Sequence, residues 1–278
     1  MKNLLSLLFN PLHLWGLVWQ NRSLLSQLVR RNIVSRYRGS MLGLIWSFVQ
    51  PLMMLCVYTF VFSVVFQARW GTTLGNMTGS RAEFAIMMFC GIAVFTIFSE
   101  SITMSCMSIL SCPNFVKKVI FPLEILPVAQ VVSTFILGII WFILLFFSTF
   151  LMKGPSFMML LLPLVLIPLF LTVLGISFFV ASLEIYLRDT QYIVGVILQI
   201  MFFMTPIFYS VEQLPERFRW LLQINPLTIL IDETRKVVLL HEYPDWLFLG
   251  LSYVVGIVVL QLGFTWFTKT KKGFADVL

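Results

Sequence analysis

The chain has 278 residues, of which 59% are hydrophobic and only 11% are charged. Soluble domains carry about 25% charged residues, so this composition excludes an ordinary water-soluble enzyme, and the length accommodates one membrane domain with no room for a soluble catalytic domain. The net charge is +7, and the basic residues lie in clusters between apolar runs, which favours an anionic membrane surface over nucleic acid as the partner.

Residues 22–38 predict a helix that lies on the membrane surface. Apolar residues at positions 24, 25, 28 and 29 gather on one side, whereas Arg30, Arg31 and Arg38 lie largely on another. This arrangement is typical of interfacial helices, whose basic side faces lipid headgroups. We therefore predict an N-terminal cytoplasmic interfacial helix at 22–38.

Six apolar runs follow along the chain, and each is long enough to cross the hydrocarbon region as a helix. They cover residues 44–66, 84–99 with a continuation past Glu100 to 110, 125–151, 157–183, 190–210 and 247–267. The predicted fold class is therefore an all-α polytopic membrane protein with six transmembrane helices, in which residues 1–278 form a single transmembrane domain.

The distribution of basic residues predicts the orientation of these helices. Six crossings place both termini on one side of the membrane, and twelve of the 19 Lys and Arg residues fall on that side. The other seven fall on the opposite side. Because cytoplasmic loops carry an excess of Lys and Arg, both termini are predicted to be cytoplasmic.

Glu100 interrupts the second apolar run. An ionised carboxylate inside a membrane costs about 2.5–3.5 kcal/mol on insertion scales, so it is expected to face protein or water instead of lipid. One interpretation is a polar contact at a gate or subunit interface. The other is hydrogen bonding for packing alone, to Ser99, Ser101, Thr103 or a neighbouring helix.

The loop between the second and third runs contains a short segment bracketed by Pro113 and Pro122. Between these prolines, residues 115–120 combine four apolar side chains with Lys117 and Lys118. A short exposed helix with an apolar side indicates docking against a partner protein. A membrane-surface turn whose lysines contact lipid phosphates is the alternative interpretation.

The region before the last apolar run is predicted to lie at the outer face. Residues 211–246 contain Pro215, Pro226 and Pro244 around a short apolar run at 220–231. This run is too brief to cross the membrane. A re-entrant or interfacial helical hairpin is the expected structure.

The sequence offers no site for nucleotide or metal chemistry. It contains no phosphate-binding loop of the G-x-x-x-x-G-K-[ST] type, so any nucleotide that drives the protein is expected on another subunit. The two histidines, His13 and His241, lie near opposite ends of the chain, and the four cysteines lack the paired spacings of zinc or redox sites. No catalytic residue, metal site or cofactor is predicted, although a membrane-embedded enzyme or scaffold stays open as a different class.

Five blocks of sequence stand out, in a defined order. They are RYRGSMLGLIW at 36–46 followed by QPL at 50–52, NFVKKVIFPLEILP at 114–127, YLRD at 186–189, TPIFY at 205–209 and NPL at 225–227. In kind and order these blocks resemble the membrane subunits of ABC-2 type ATP-binding-cassette exporters, in the branch that exports O-antigen, capsule and teichoic acid polysaccharides. The first two blocks are the most specific. Glu184 departs from the family's pattern, in which a neutral residue is expected at that position.

The resemblance implies an assembly in the bacterial inner membrane. The subunits would form a homodimer bound to two copies of a separate ATPase subunit, which holds the ATP and Mg²⁺. By this analogy a coupling helix at 113–121 docks on the ATPase, and the interfacial helix 22–38 adds a second contact. The implied coupling residues are Pro113, Asn114, Phe115, Val116, Lys117, Lys118, Val119, Ile120 and Phe121.

The resemblance also implies a route for the substrate. The loop after the interfacial helix would lie at the cytoplasmic entrance and meet the pyrophosphate of a polyprenyl-linked polysaccharide through Arg36, Arg38, Gly39, Ser40 and Gly43. An Arg fork fits phosphate geometry, although anionic membrane lipid headgroups would satisfy the same residues. The first and fifth spans of both copies are predicted to frame the channel, with lining residues Tyr58, Phe62, Glu100 and Tyr209.

The predicted function is therefore that of a permease subunit without covalent chemistry of its own. It would export a lipid-linked polysaccharide, with O-antigen of lipopolysaccharide as the expected class. An ABC-2 exporter of lipid or drug is the alternative within transport.

Overall fold

The described part of the chain is built from helices joined by short turns. The computed structural model describes residues 11–61, 81–116, 121–154, 156–209, 215–217, 222 and 225–277, and these ranges contain no strand. The α-helices are α1 Pro11–Gln20, α2 Arg22–Arg36, α3 Trp46–Thr59, α4 Arg81–Cys106, α5 Pro113–Val116, α6 Ile125–Lys153, α7 Leu162–Tyr186, α8 Thr190–Met204, α9 Pro226–Arg235, α10 Trp246–Thr270 and α11 Phe274–Val277.

Helices of membrane-spanning length account for most of the structure. Four of them are long and apolar enough to cross a bilayer: Ala82–Cys106, Ile125–Met152, Phe157–Tyr186 and Trp246–Val277. Two shorter apolar helices, Gly43–Thr59 and Thr190–Met204, occupy the runs predicted as the first and fifth spans. The predicted all-α polytopic class is confirmed, whereas the count of six spans and the side of the termini stay predictions.

Helix α4 is the centre of the molecule. In its most apolar window 78% of the residues are buried, against 28–33% in the other three long helices. It packs against α3, α6, α7, α8 and α9. This position agrees with its sequence, because α4 is the least apolar of the four long helices and carries Glu100, and ionisable residues in membrane helices face protein or water instead of lipid.

Helices α7 and α10 approach each other closely at glycines. A Cβ atom at Gly263 would collide with the main-chain carbonyl of Gly175, and a Cβ at Gly175 would lie 2.5 Å from the carbonyl of Val259. Phe178 packs beside this contact, with ring centroids 5.4 Å from Phe264. Small residues at an interface let two membrane helices pack along their backbones, so these glycines determine the spacing of α7 and α10.

A helix is present where the interfacial helix was predicted, and it ends two residues earlier than expected; its location on the membrane surface stays a prediction. Helix α2 ends at Arg36, and residues 37–39 form a turn in which Gly39 has a φ of +88°. Left-handed φ values are easily adopted only by glycine, so Gly39 ends the helix. Leu28 and Val29 are the buried residues of α2, which packs on α6.

In the region predicted as an outer hairpin, the longest helix among the described residues is α9. Helix α9 begins after Asn225, whose side chain accepts a hydrogen bond of 3.0 Å from the Leu227 amide. It continues as a π-helix over Lys236–Leu240. Buried Glu233 accepts hydrogen bonds of 2.7 Å from Lys236 Nζ and from the Asp245 amide, so it connects α9 to the start of α10. Residues 210–214, 218–221 and 223–224 lie outside the description.

The C-terminal residues fold back against the ends of three long helices. The Tyr186 hydroxyl donates a 2.8 Å hydrogen bond to the Thr270 carbonyl. Lys271 Nζ lies 2.7 Å from Glu124 Oε1, at the start of α6. Phe274 is completely buried, with its ring beside Tyr186 and Phe267. The last turn of the chain therefore joins α6, α7 and α10.

Candidate functional site

The predicted entrance loop is a self-contained turn after α2. The Ser40 hydroxyl donates to the Tyr37 carbonyl at 3.0 Å and accepts from the Gly43 amide at 3.0 Å. Gly43, like Gly39, has a positive φ, at +52°. Arg38 is exposed on this turn. The two glycines and the serine thus shape the turn that presents Arg38 to its surroundings.

Arg36 forms an ion pair with Glu100. The Arg36 Nη2 atom lies 2.6 Å from Glu100 Oε1, and the two side chains are 22% and 28% exposed. Among the described residues, the ion-pair partner of Glu100 is thus a basic residue on a neighbouring helix, 64 positions earlier in the chain. A role of this contact at a gate or subunit interface stays a prediction. The pair joins α2 to the central helix α4.

The surroundings of this ion pair combine polar and apolar residues around a small cavity. Tyr37, Ser47 and Gln50 line a small cavity of about 20 Å³ beside Arg36 and Glu100. Burial raises the pKa of the Tyr37 phenol, Arg36 lowers it and Glu100 raises it. The phenol of Tyr37 therefore stays neutral at physiological pH and remains a hydrogen-bond donor next to the pair.

The interfacial helix is also attached to α6. Asn32 Nδ2 donates a 2.9 Å hydrogen bond to Gln130 Oε1. Arg31 Nη2 lies 3.8 Å from Cys112 Sγ, in the turn between α4 and α5. Helix α2 is thus connected to the two long helices that flank residues 113–121, through Glu100 on one side and Gln130 on the other.

The predicted coupling residues are described only in part. Pro113, Asn114, Phe115 and Val116 form the one-turn helix α5, and the Phe115 ring stacks on Phe121 with centroids 4.4 Å apart and planes 10° from parallel. The stack joins the two ends of the segment. Lys117, Lys118, Val119 and Ile120 lie outside the described residues.

The structure separates the predicted lining residues into two places. Tyr58 packs near Phe208 with ring centroids 5.7 Å apart, and the Tyr209 hydroxyl donates to the Phe203 carbonyl at 3.1 Å. The end of α3 therefore contacts the segment that follows α8. Glu100 instead lines the small cavity together with Ser47. Ser47 precedes Tyr58 by 11 residues on α3, which separates the two residues by about 16 Å along the helix axis. Phe62 lies outside the described residues.

Arg235 is a residue whose role the sequence did not reveal. The sequence places it in the region 211–246 that is predicted to lie at the outer face, but only 4% of it is exposed. Its Nη1 and Nη2 atoms each donate a 3.0 Å hydrogen bond, to the carbonyls of Pro206 and Ile207, and its Nε donates to Met87 O at 3.3 Å. Asp232 Oδ1 lies 3.2 Å from Nη1.

Two of the carbonyls that Arg235 binds lie just after α8. The helix ends at Met204, and Pro206 and Ile207 belong to the non-helical segment that follows, so their carbonyls have no helical donors. Buried carbonyls need partners, and the guanidinium supplies several donors in one plane. The proline after α8 is a sequence signal for free carbonyls, but nothing in the sequence identifies the donor, 29 residues further along.

Glu184, which departs from the expected pattern, has a local structural role. It is almost fully buried, with 1% exposure, and its Oε2 accepts a 2.8 Å hydrogen bond from the Gln191 amide. It therefore holds the first turn of α8 against the end of α7. Within the described ranges no three His, Cys, Asp or Glu side chains lie together as metal ligands.

Comparison with known proteins identifies the family. The model of the ABC-2 type transporter family matches residues 23–239, which is most of the chain. The chain therefore belongs to the ABC-2 type transporter family, as the five sequence blocks predicted, and is a multi-pass membrane protein.

Individual relatives extend this similarity over nearly the whole chain. An O-antigen export system permease protein RfbA of Klebsiella pneumoniae is 27% identical over 257 residues, which cover 92% of this chain and 95% of the relative. A second protein of that name from the same organism is 27% identical over 261 residues. The O-antigen export system permease protein RfbA of Myxococcus xanthus is 28% identical over 264 residues, which cover 93% of this chain and 96% of the relative.

Proposed function

We propose that this chain is the permease subunit of an ATP-driven exporter that moves a polyprenyl-linked O-antigen polysaccharide across the bacterial inner membrane. It works as a homodimer with two copies of a separate ATPase subunit. The observation that carries the proposal is the similarity to O-antigen export permeases over more than nine-tenths of the chain.

The attachments of α2 support a mechanism for coupling. In this proposal residues 113–121 dock on the ATPase, and ATP binding there favours one arrangement of the spans over another. A ligand shifts an equilibrium only by its difference in affinity for the two states, so the docked segment must differ in its contacts between them. Glu100 on α4 and Gln130 on α6 both hold α2; a movement of these spans therefore moves α2 and the entrance loop.

The entrance residues divide into two roles in this proposal. Arg38 is exposed and makes the first contact with the pyrophosphate, because an Arg side chain binds phosphate through paired hydrogen bonds. Arg36 is held by Glu100, so pyrophosphate competes with a carboxylate for it. Release of Arg36 from Glu100 would then connect substrate loading to the central helix.

The channel is proposed to form between two copies of the chain. Apolar side chains on α3 and α8 are exposed, among them Met53, Val57, Ile197 and Ile200. Tyr58 lies near the end of α3, where it contacts Phe208, and Tyr209 follows Phe208 in the segment after α8. Aromatic rings offer flat apolar surfaces to a sugar chain, and the first and fifth spans of both copies would provide them.

Complementation tests the proposed export function. The gene and its cognate ATPase are expressed in a strain that lacks its own O-antigen permease, and surface O-antigen is measured by immunoblotting. The wild-type chain restores surface O-antigen, and mild-detergent extracts retain the ATPase. Phe115→Asp abolishes both, because a charge disrupts an apolar docking surface. Tyr243→Asp is the control, because Tyr243 is 65% exposed and lies in the stretch before α10, outside the long apolar helices. No ATPase in any extract, or glycan movement by this chain alone without nucleotide, contradicts the proposal.

Removal of aromatic rings tests the proposed lining. Alanine at Tyr58, Phe62 and Tyr209 is expected to slow export while the ATPase still copurifies. Unchanged export in all three variants contradicts the assignment of the lining without affecting the proposed function. Restoration of lipid or drug efflux without surface O-antigen instead supports the other branch of ABC-2 transport.

A further inference from the structure

A cavity of about 520 Å³ lies beneath the interfacial helix. One side of α2 forms its roof, the end of α4 and the following turn form one wall, and the first half of α6 forms the other. Its volume lies within the range of about 300–1,000 Å³ that is typical of small-molecule sites. The cavity shares Arg36 with the predicted entrance residues, but the turn at 38–43 does not line it.

The polar groups of the cavity favour an anion. Arg31 and the hydroxyl residues Ser108 and Ser111 line it, and no acidic side chain of the described chain does. Arg36 also reaches the cavity, but its charge is matched by Glu100. Among the described residues Arg31 has no acidic partner, so it supplies the uncompensated charge. Its contact with Cys112 Sγ at 3.8 Å leaves most of its five donors available.

The remaining surface of the cavity is apolar. Met104 and Met107 line it from the end of α4, and Leu126 and Leu137 line it from α6. Unbranched methionine side chains adapt to flexible apolar ligands. A ligand that satisfies the whole surface therefore carries a negative charge on one part and a hydrocarbon chain on another.

The position of the cavity agrees with such a ligand. Helix α4 ends at Cys106 and α6 begins at Ile125, so the cavity lies where two long apolar helices end. The ends of spanning helices lie at the level of the lipid headgroups, and an interfacial helix lies in the same layer. The membrane itself therefore presents phosphate and acyl chains at this depth.

We propose that this cavity binds one phospholipid per subunit, with Arg31 on the phosphodiester and the methionine-lined wall against the first part of an acyl chain. In this proposal the phospholipid stays bound in the cavity and is not the exported substrate. By contacting α2, α4 and α6 together, it stabilises the junction through which these helices are attached. The proposal concerns lipid binding and stands independently of which molecule the protein exports.

Native mass spectrometry of the full-length protein in mild detergent, after reconstitution with phosphatidylglycerol, tests the proposal. The wild-type protein retains bound phospholipid. Arg31→Gln binds it about 10- to 100-fold more weakly, because a hydrogen bond to a charged group is lost. The matched control is Arg30→Gln, since Arg30 is the exposed neighbour on α2 and does not line the cavity; it retains the lipid like the wild type.

A second pair of variants tests the apolar wall. Met107 is 38% exposed, so Met107→Trp folds while it fills the cavity mouth, and it is expected to displace the lipid. Met41→Trp is the control, because Met41 is fully exposed and lies outside the cavity.

Three outcomes overturn the proposal. The first is equal lipid retention by Arg31→Gln and the wild type. The second is displacement of the lipid by excess soluble glycerol phosphate, which would assign the cavity to a free phosphate compound. The third is retention of polyprenyl pyrophosphate with exclusion of phosphatidylglycerol, which would make the cavity part of the substrate route.

Discussion

Two buried or half-buried arginines show how single charges are accommodated in this apolar chain. Arg36 is neutralised by a carboxylate of another helix, and Arg235 is satisfied mainly by main-chain carbonyls. Both solutions avoid the cost of an isolated charge away from water. Because each joins segments distant in sequence, each residue affects the arrangement of whole helices.

Charge reversal tests the Arg36–Glu100 pair. Arg36→Gln and Glu100→Gln each remove one partner, and we expect both to reduce export and to lower stability. The swapped variant Arg36→Glu/Glu100→Arg is expected to recover part of both, with a coupling free energy of about 1 kcal/mol in a double-mutant cycle. Thermal unfolding in detergent and surface O-antigen provide the measurements. Asp189→Asn, at an exposed position, is the control, and strictly additive effects of the two single substitutions contradict the pairing.

Substitution of Arg235 tests the contacts at the end of α8. Arg235→Lys keeps the charge but removes the planar set of donors, so several carbonyls lose their partners. We expect the free energy of unfolding to fall by about 2–4 kcal/mol, since hydrogen bonds to charged groups are worth about 1.5–3 kcal/mol each and not all are lost. Arg188→Lys, at an exposed position, is expected to leave stability unchanged. A stable Arg235→Lys protein would show that Lys satisfies the same carbonyls.

At the scale of elements, the structure depends on close contacts between helices. The α7–α10 contact has no side chain between the two backbones at Gly175 and Gly263. The α2–α4–α6 junction instead depends on side chains, through Arg36, Glu100 and Gln130. The first kind of contact is rigid, because packed backbones leave no room to adjust. The second can exchange partners, as the proposed coupling mechanism requires.

A single methyl group tests the backbone contact. Gly263→Ala places Cβ against the carbonyl of Gly175, so α7 and α10 must separate, and we expect a loss of about 1–3 kcal/mol in stability. Gly250→Ala lies on the same helix with nothing within 4 Å of the added Cβ. It is expected to be neutral or slightly stabilising, because Ala is the better helix former. Equal melting temperatures of the two variants would contradict the close approach.

At the scale of the whole molecule, the C-terminal residues connect the helix ends beside the predicted coupling segment. Lys271 holds Glu124 at the start of α6, only a few residues after Phe121. Phe274 fills the space between Tyr186 and Phe267. The end of the chain therefore supports the position from which residues 113–121 project.

Truncation of Phe274 tests this support. Phe274→Ala removes a completely buried ring, and we expect a loss of about 3–5 kcal/mol in stability. Retention of the ATPase in detergent extracts is expected to fall as well, because the start of α6 loses its neighbour. Val277→Ala, at a position 43% exposed, is expected to change neither property. A Phe274→Ala protein with normal stability and ATPase retention contradicts the proposed support.

The sequence by itself determined the membrane class, the places of the apolar helices and the family. These properties depend on local sequence. Long apolar runs in a membrane must satisfy their backbone hydrogen bonds as helices. The blocks around Arg36, Asn114 and Thr205 that indicate the family are each continuous in sequence, so no tertiary contact is needed to recognise them. The interfacial helix at 22–38 was likewise predictable from its local pattern, although Gly39 ends it at Arg36.

Only the tertiary structure decided which distant residues meet. A carboxylate within an apolar run predicts that Glu100 has a polar partner. Its neighbours in sequence do not identify that partner, because Arg36 belongs to a helix 64 positions earlier. From the sequence alone, Arg235 has the features of an ordinary basic residue in a loop. The structure shows that it instead donates hydrogen bonds to the carbonyls of Pro206 and Ile207. The physical reason is that burial and pairing are set by how helices pack, and a pattern along one helix does not specify its neighbour.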